Sequence, residues 1–311
     1  MRVTANTFPN SLVDQLANLA ARQNQYQRQA ATGQRIESPS DDPTGMRRVL
    51  DLQTEARSVA QYKRNAASIR ETAQANYQVL QGLKTISDRA GELATMADGT
   101  RSPAELKIYA TELTQLIKQA VQLTRTKFHG DYLLSGTRSD QPPFDMTTDA
   151  EGNVTAVTYQ GNESVNEAEV AEGTRVSAQI IGANSTGVGP RGLISDNRFG
   201  ADLFNHLISL QNHLLAGDTT AIANTDRANL AKDEENTLLH IGNNGAVQAR
   251  LEASTGLLST RAESLEGRIS NEADADLAQT LVRLNQTQVA YRAALQSGAE
   301  LLNQSLLDFL R

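Results

Sequence analysis

A glycine-rich stretch, GVGPRG at residues 187–192, fits the GxGxxG spacing that cradles the pyrophosphate of a dinucleotide. That chemistry needs a helix that begins among the glycines, so that its N-terminus faces the phosphates. A strand-like segment precedes the stretch, but Pro190, Gly192 and Gly200 all come before the next helical pattern. The sequence therefore predicts a loop at this position, and we expect no cofactor.

The other residue types that could do chemistry do not converge on a site. Asp41 and Asp42 are adjacent carboxylates without a visible set of further ligands, so we expect an N-cap and a turn rather than a metal site. The four histidines show no metal-ligand spacing, and His206 and His213, seven residues apart, are predicted to share one helix face. There is no cysteine, which excludes thiol catalysis and zinc–thiolate sites. We expect no catalytic or metal site.

The composition favours long helices in narrow bundles over a globular enzyme. Of the 311 residues, 39% are hydrophobic and 4% aromatic, and tryptophan is absent. The 29 basic and 36 acidic residues are interspersed and give a net charge of -7, so we expect no binding to nucleic acid or to anionic lipid. No apolar run is long enough to span a membrane, and the N-terminus lacks the pattern of a cleaved secretory signal.

The heptad spacing of apolar residues predicts several long helices. A first helix over about 10–32 places Leu12, Leu16, Leu19 and Tyr26 on one apolar seam. A second runs from about Pro43 to residue 97, with a heptad pattern of apolar residues in which Asn76 and Ser87 are polar gaps. Ser102, Pro103 and Glu105 form the capping box of a third. Helix resumes at DLFNHLISLQNHLLAGD and continues from about Thr219 to the C-terminus. The GNNG stretch at 242–245 requires either a helix break or a closely packed neighbour.

The middle of the chain has a different character. Alternating segments at 153–159 and 175–181 predict short strands, with hairpin turns at DAEGN and AEGT. Three glycosylation-type sequons, at Asn153, Asn162 and Asn184, mark this region as exposed. We expect a β-rich insert over about 138–197.

The C-terminal helix repeats the seam of the first helix. Its heptad positions are apolar at Leu277, Leu281, Leu284, Tyr291, Leu295, Leu302, Leu306 and Phe309. Two lone terminal helices of this polarity would be marginally stable, so we expect these seams to meet copies of themselves in an assembly.

These elements predict a mainly α fold with a small β insert. It would be an elongated rod of long antiparallel helices with the N- and C-termini paired at one end. The predicted domains are a terminal coiled coil (1–40 with 275–311), a helical rod domain (41–137 with 198–274) and a β-rich outer domain (138–197).

Four quoted stretches carry a resemblance to a known family. TGQRIESPSDDPTG, KFHGDYLLSGT, ADADLAQTLVRLNQTQVAYRAAL and SLLDFL, in this order, resemble the flagellin superfamily of bacterial flagellar axial proteins, and within it the hook-filament junction type. The sequence departs at His129, where asparagine is common. In this family the segment corresponding to Pro39, Ser40, Asp41, Asp42 and Pro43 is the turn between an inner tube and an outer rod domain.

The resemblance also implies a function and a set of partners. It implies a structural, non-enzymatic subunit joining hook to filament, located outside the cell and exported by the flagellar type III apparatus without a cleaved signal. The implied partners are copies of the chain in a ring, the hook-proximal junction protein, filament flagellin and a cytoplasmic export chaperone. Two alternatives stay open: an atypical filament flagellin, which would form long filaments by itself, and a secreted helical effector, whose loss would leave motility intact.

Overall fold

A computed structural model describes residues 7–309 of the chain, and side chains from residue 11 to residue 300. Contacts divide the chain into two compact units. The first unit, unit A, contains residues up to 59 and from 260 onward. The second, unit B, contains residues 60–259.

Helices dominate both units, which confirms the predicted fold class. The long helices are α1 (Thr7–Thr32), α2 (Pro43–Met96), α3 (Pro103–Thr124), α4 (Leu203–Ala216), α6 (Arg227–Ala273) and α7 (Leu277–Phe309). A short helix α5 (Thr219–Ala221) and a π-helical turn (Ile222–Asp226) lead into α6. The predicted capping box of α3 is present: the Glu105 amide donates to Ser102 Oγ, and the Ser102 amide donates to the Glu105 carboxylate.

Two details of the predicted helices are wrong. The C-terminal helix is not continuous, because α6 ends at Ala273 and α7 begins at Leu277, with Asp276 Oδ1 accepting from the Gln279 amide as a new N-cap. The GNNG stretch neither breaks α6 nor has a close neighbour: a Cβ at Gly242 or Gly245 would meet nothing within 4 Å. The buried residue of this stretch is Asn244, whose Nδ2 donates to the Ala73 carbonyl of α2 at 3.0 Å.

Short strands lie between α3 and α4. They are β1 (Lys127–Phe128), β2 (Asp131–Tyr132), β3 (Phe144–Thr148), β4 (Val154–Tyr159), β5 (Ala168–Ala171), β6 (Thr174–Val176), β7 (Ile181–Asn184), β8 (Gly192–Asp196) and β9 (Ala201–Asp202). The predicted hairpins β3–β4 and β5–β6 are present, and β7, β8 and β9 form a three-stranded sheet. The strand predicted over 175–181 is two strands instead of one: its ends belong to β6 and β7. Its centre carries no strand pairing, and the Ala178 carbonyl accepts from Asn76 Nδ2 of α2 at 2.6 Å instead.

The core of unit B joins α2, α3 and α4. Its largest fully buried side chains include Leu80 and Leu93 of α2, Ile117 of α3 and Leu207 of α4. The polar gaps in the α2 heptad, Asn76 and Ser87, are buried too. Within residues 7–309, no helix is long and apolar enough to cross a membrane.

Candidate assembly surface and interhelical turn

The segment between α1 and α2 is built as a sharp turn. Ser38 to Asp41 forms a β-turn in which the Asp41 amide donates to the Ser38 carbonyl at 3.0 Å, with Pro39 at the position where its fixed φ is favoured. The Asp41 carboxylate accepts from the Ser38 amide at 2.9 Å and from the Glu37 amide at 3.2 Å. Hydrogen bonds from Ser38 lower the pKa of Asp41. The carboxylate thus holds the turn while it is ionised.

Asp42 and Pro43 begin the next helix. Asp42 Oδ1 accepts from the Gly45 amide at 2.9 Å, the N-cap arrangement, and Pro43 is the first residue of α2. That hydrogen bond lowers the pKa of Asp42. The backbone packs closely at Gly45, because a Cβ there would lie 2.6 Å from Ile36 Cδ1 and the Ile36 and Asp42 side chains would have to move to accept it. The expected N-cap and turn roles of Asp41 and Asp42 are what the geometry shows.

This turn is fastened to the connection between α6 and α7. The Arg35 amide donates to the Ala273 carbonyl at 2.6 Å, and the Ala275 amide donates to the Gly33 carbonyl at 2.8 Å. Gln34 and Asp274 form an isolated antiparallel bridge. The two places where helices end in unit A are therefore tied together by backbone hydrogen bonds. The sequence contained no signal for this pairing, because the partners are more than two hundred residues apart.

α7 packs on α1 through a face whose most buried residues are small or polar. Thr280, Thr287 and Gly298 are its buried positions, and Leu284, Tyr291 and Ala294 are half-buried between them. This face follows a heptad spacing. The helices approach closely at Gly298, since a Cβ there would lie 2.6 Å from Leu12 Cδ2 of α1 and Leu12 would have to move to accept it. Thr287 can be buried because its hydroxyl donates to the Arg283 carbonyl of its own helix at 2.7 Å.

An adjacent face of α7 is apolar and exposed. Leu277, Leu281 and Leu295 share it at spacings of four and fourteen residues, and their exposed fractions are 48%, 51% and 46%. Three large leucines on one face of a helix are costly to leave in water if nothing ever covers them. This face, hereafter the outer leucine face, is the candidate assembly surface.

The predicted interface residues therefore fall into three groups. Leu12, Leu16, Leu19 and Tyr26 are half-buried on α1. Leu295 is exposed on the outer leucine face. The side chains of Leu302, Leu306 and Phe309 lie outside the described part of the structure.

The remaining candidate motifs have structural roles. GVGPRG connects β7 to β8, so no helix follows its glycines and the dinucleotide arrangement is absent there. Asn184 is fully buried and donates to the Val188 and Pro190 carbonyls, so its sequon does not mark an exposed site and that expectation is wrong. In the part of the chain that the structure describes, no group of three or more acidic or histidine side chains could hold a metal ion.

The histidine pair on α4 has partners that sequence analysis missed. His206 Nδ1 lies 2.7 Å from Asp233 Oδ2, and His213 Nδ1 lies 2.6 Å from Asp226 Oδ2. Both aspartates are buried. The sequence did contain a signal for these two pairs, because Asp226 and Asp233 are seven residues apart, as His206 and His213 are. Two residues separated by a heptad lie on one helix face and can meet a second such pair on a neighbouring helix.

Comparisons with known proteins agree with the predicted resemblance. Residues 3–139 match the family described as the bacterial flagellin N-terminal helical region. The chain is 24% identical over 326 residues to the flagellar hook-associated protein 3 of Salmonella typhimurium, and the match covers 100% of both chains.

Solved structures show the same fold. A flagellar hook-associated protein of Vibrio parahaemolyticus matches with a TM-score of 0.63 and 19% identity, over 75% of this chain and 100% of that one. FlgL of Bacillus cereus matches with a TM-score of 0.55 and 19% identity, over 71% of this chain and 99% of that one.

The fold is flagellin-like, and the predicted resemblance to the flagellin superfamily is confirmed. The resemblance to the hook-filament junction type is confirmed as well, because the whole-length match is to a flagellar hook-associated protein 3.

Proposed function

We propose that this chain is a structural subunit of the bacterial flagellum that joins the hook to the filament. The whole-length match to a hook-associated protein 3 supports this role, as does the flagellin-like fold. The observation that carries it is the outer leucine face. On the face of α7 that packs on α1, the fully buried positions are threonine and glycine, with Leu284 and Tyr291 half-buried between them. Leu277, Leu281 and Leu295 stay exposed beside that face, which is the arrangement expected of a helix whose second apolar face meets other subunits.

The finer features of this role are also proposals. Copies of the chain form a ring in which Leu12, Leu16, Leu19, Tyr26, Leu295, Leu302, Leu306 and Phe309 lie at or near the subunit contacts. One end of the ring meets the hook-proximal junction protein and the other meets filament flagellin. A cytoplasmic chaperone escorts the chain to the export apparatus, and export needs no cleaved signal. The domain division at residues 40, 137, 197 and 274 belongs to the same proposal.

The interhelical turn would redirect the chain between an inner tube and an outer domain. Pro39, Asp41, Asp42 and Pro43 supply the β-turn, its carboxylate acceptor, the N-cap and the first residue of α2. Replacing all four by alanine restores the backbone amide donors that the prolines lack and removes the aspartate side chains that cap the turn. The helix α1 should therefore extend toward α2. The expected result is a rise in monomer helicity by circular dichroism together with loss of assembly. Normal motility with this variant would show that the turn is a tolerated loop.

The main experiment places charges on the outer leucine face. Leu281 and Leu295 are half-exposed in the monomer, so Leu281→Asp with Leu295→Asp should leave the circular dichroism spectrum and melting temperature of the monomer nearly unchanged. In an assembled contact each aspartate would be buried without a partner, which is prohibitive. The variant should therefore be secreted but absent from flagella, and the cells should be non-motile.

Gln296→Asp is the matched control, because Gln296 is exposed next to Leu295 and the substitution adds a charge without removing a leucine. It should support normal motility. If the double variant occupies the junction normally by immunogold labelling, the outer leucine face is not the assembly surface. If the unmodified purified chain forms long filaments by itself, the filament flagellin alternative is supported instead.

A further inference from the structure

Within unit A, α2 and α6 lie side by side and run in opposite directions. Arg48 Nη2 lies 3.0 Å from Glu272 Oε2, and Arg261 Nε donates to Glu55 Oε1 at 2.8 Å. These ion pairs join the beginning of α2 to the end of α6, so residue numbers fall along one helix as they rise along the other. Each helix therefore has an inner face toward the other helix and an outer face directed away from it.

The outer face of α2 in unit A is basic. Arg47, Leu50, Thr54 and Arg57 follow one another at spacings of three and four residues, and all four are exposed. Val59, about two and a half turns from Leu50, is buried and marks the inner face. This outer face, hereafter the basic face, carries two positive charges beside a leucine that is 51% exposed.

The outer face at the end of α6 is acidic. Glu263, Gly267, Ser270 and Asp274 follow one another at spacings of four and three residues and are exposed, whereas Leu265 is buried on the inner face. The Ser270 hydroxyl donates to Asp274 Oδ2 at 2.6 Å, which holds that carboxylate on the outer face. A Cβ at Gly267 would meet nothing within 4 Å. This face, hereafter the acidic face, carries two negative charges around two small residues.

The four charged groups on these faces have no ion-pair partner among the residues that the structure describes. The ion pairs of unit A are made by other side chains: Arg28 with Glu37, Arg35 with Asp42, Arg48 with Glu272 and Arg261 with Glu55. The basic face and the acidic face lie on opposite sides of the helix pair, so they cannot neutralise each other within one chain. A second copy of the chain offers the complementary charge to both faces.

We propose that copies of this chain dock side by side, with the basic face of one copy on the acidic face of the next. The inference rests on the proposed function, in which copies form a ring. Because the two faces are different surfaces, every copy can bind one neighbour on each side, as a closed ring requires.

The two faces match in spacing as well as in charge. Arg47 and Arg57 are about 15 Å apart along α2, and the two carboxylate-bearing residues of the acidic face are about 16 Å apart along α6. In two copies that point the same way, α2 of one copy runs antiparallel to α6 of the other, as it does within the monomer. Arg47 then meets Asp274, and Arg57 meets Glu263. Leu50 lies over the small residues between the two carboxylates.

The ion pairs select the neighbour and its register more than they hold it. Exposed ion pairs contribute little affinity each, whereas like charges brought together at an interface are strongly unfavourable. Leu50 adds an apolar contribution when it leaves water to cover the small residues of the acidic face. The sign of the charges on each face is therefore the property to test.

The first experiment reverses the charges on each face. Arg47→Glu with Arg57→Glu reverses the basic face, and Glu263→Arg with Asp274→Arg reverses the acidic face. Either pair should leave the melting temperature of the purified chain nearly unchanged and should abolish junction occupancy by immunogold labelling. All four substitutions together restore opposite charges across the contact and should restore occupancy. Normal occupancy with either pair alone, or no rescue by the combination, would overturn the proposal.

The second experiment traps the contact directly. The chain has no cysteine, so Thr54→Cys with Gly267→Cys introduces the only two thiols. These positions lie at matching levels on the two docked faces but on opposite sides of one monomer. Oxidation of isolated flagella should give a ladder of dimers, trimers and larger species on a non-reducing gel, and neither single-cysteine variant should give a ladder. Flagella that contain the double variant and give no species larger than a dimer would rule out this contact.

The unmodified chain separates failure of this inference from failure of the proposed function. If immunogold labelling does not find the unmodified chain between hook and filament, the proposed function fails and this inference fails with it. If the chain is found there and the double-cysteine variant gives no ladder, the proposed function stands and the side-by-side contact alone is refuted.

Discussion

Replacing Gly242 and Gly245 by alanine should stabilise this protein. Both glycines are exposed in the interior of α6, and a Cβ added at either would have no neighbour within 4 Å. Glycine is less favourable than alanine inside a helix by about 0.8–1.0 kcal/mol, mainly through the backbone entropy of the unfolded chain. Because no contact in the monomer opposes the change, Gly242→Ala with Gly245→Ala should raise the free energy of unfolding of unit B by about 2 kcal/mol.

A third helical glycine provides the control. Gly82 lies inside α2, where alanine has the same intrinsic advantage, but a Cβ there would lie 2.8 Å from Leu123 Cδ1 and 3.4 Å from Leu123 Cδ2. Leu123 must move to accept it, and overpacking of this kind costs roughly 1–3 kcal/mol. Gly82→Ala should therefore be neutral or destabilising, although the substitution is chemically identical.

Thermal unfolding followed by circular dichroism at 222 nm and by calorimetry distinguishes these cases. For a unit of this size, about 2 kcal/mol corresponds to a rise in Tm of about 4–8 °C. The expected order of Tm is the double alanine variant, then the unmodified chain, then Gly82→Ala. A double variant that melts at or below the unmodified chain would refute the reasoning, and so would a Gly82→Ala variant that is equally stabilised.

Three further substitutions test single contacts. Asp42→Ala should destabilise the start of α2 by about 1 kcal/mol through loss of its N-cap, whereas Asp42→Asn keeps the acceptor. Hydrogen exchange of the Gly45 amide measures the loss, and equal exchange in the two variants would contradict the N-cap role. His129→Asn should raise Tm slightly in differential scanning calorimetry, because residue 129 has a φ of 52°, which asparagine tolerates better; a lower Tm would count against this. Gly298→Leu should separate α7 from α1 at Leu12 and lower the free energy of unfolding of unit A by roughly 1–3 kcal/mol in urea titrations. Ala299→Leu, at an exposed position, should not, and similar urea midpoints for both variants would refute the close contact.

The helices could be predicted because their signals are local. The start of α2 depends on Asp42 and Pro43, and the start of α3 on Ser102 and Glu105, all within one helical turn. Heptad spacing then identified the buried face of α2 correctly, including its polar position Asn76, because a helix buries whichever residues share a face.

What the sequence did not predict depends on partners that are distant along the chain. Asp226 and Asp233 are buried because His213 and His206 meet them across 13 and 27 residues. The π-helical turn that ends at Asp226 widens the backbone just before α6, and propensity gives no signal for it. Likewise, the strand predicted over 175–181 has the right alternation, but Asn76 of α2 takes the Ala178 carbonyl and interrupts the pairing.

α7 shows the limit most clearly. Its apolar heptad predicted a single seam, but a hydrophobic pattern cannot tell a face that is buried within the chain from one that is buried between chains, because both select the same residue types. The distinguishing signal was the less conspicuous face: Thr280, Thr287 and Gly298 repeat at seven and eleven residues and permit close approach to α1. Once that face is assigned to the contact with α1 within the monomer, Leu277, Leu281 and Leu295 are left without a packing role in the monomer. The proposed assembly would cover them, and this is why the outer leucine face is the surface to test.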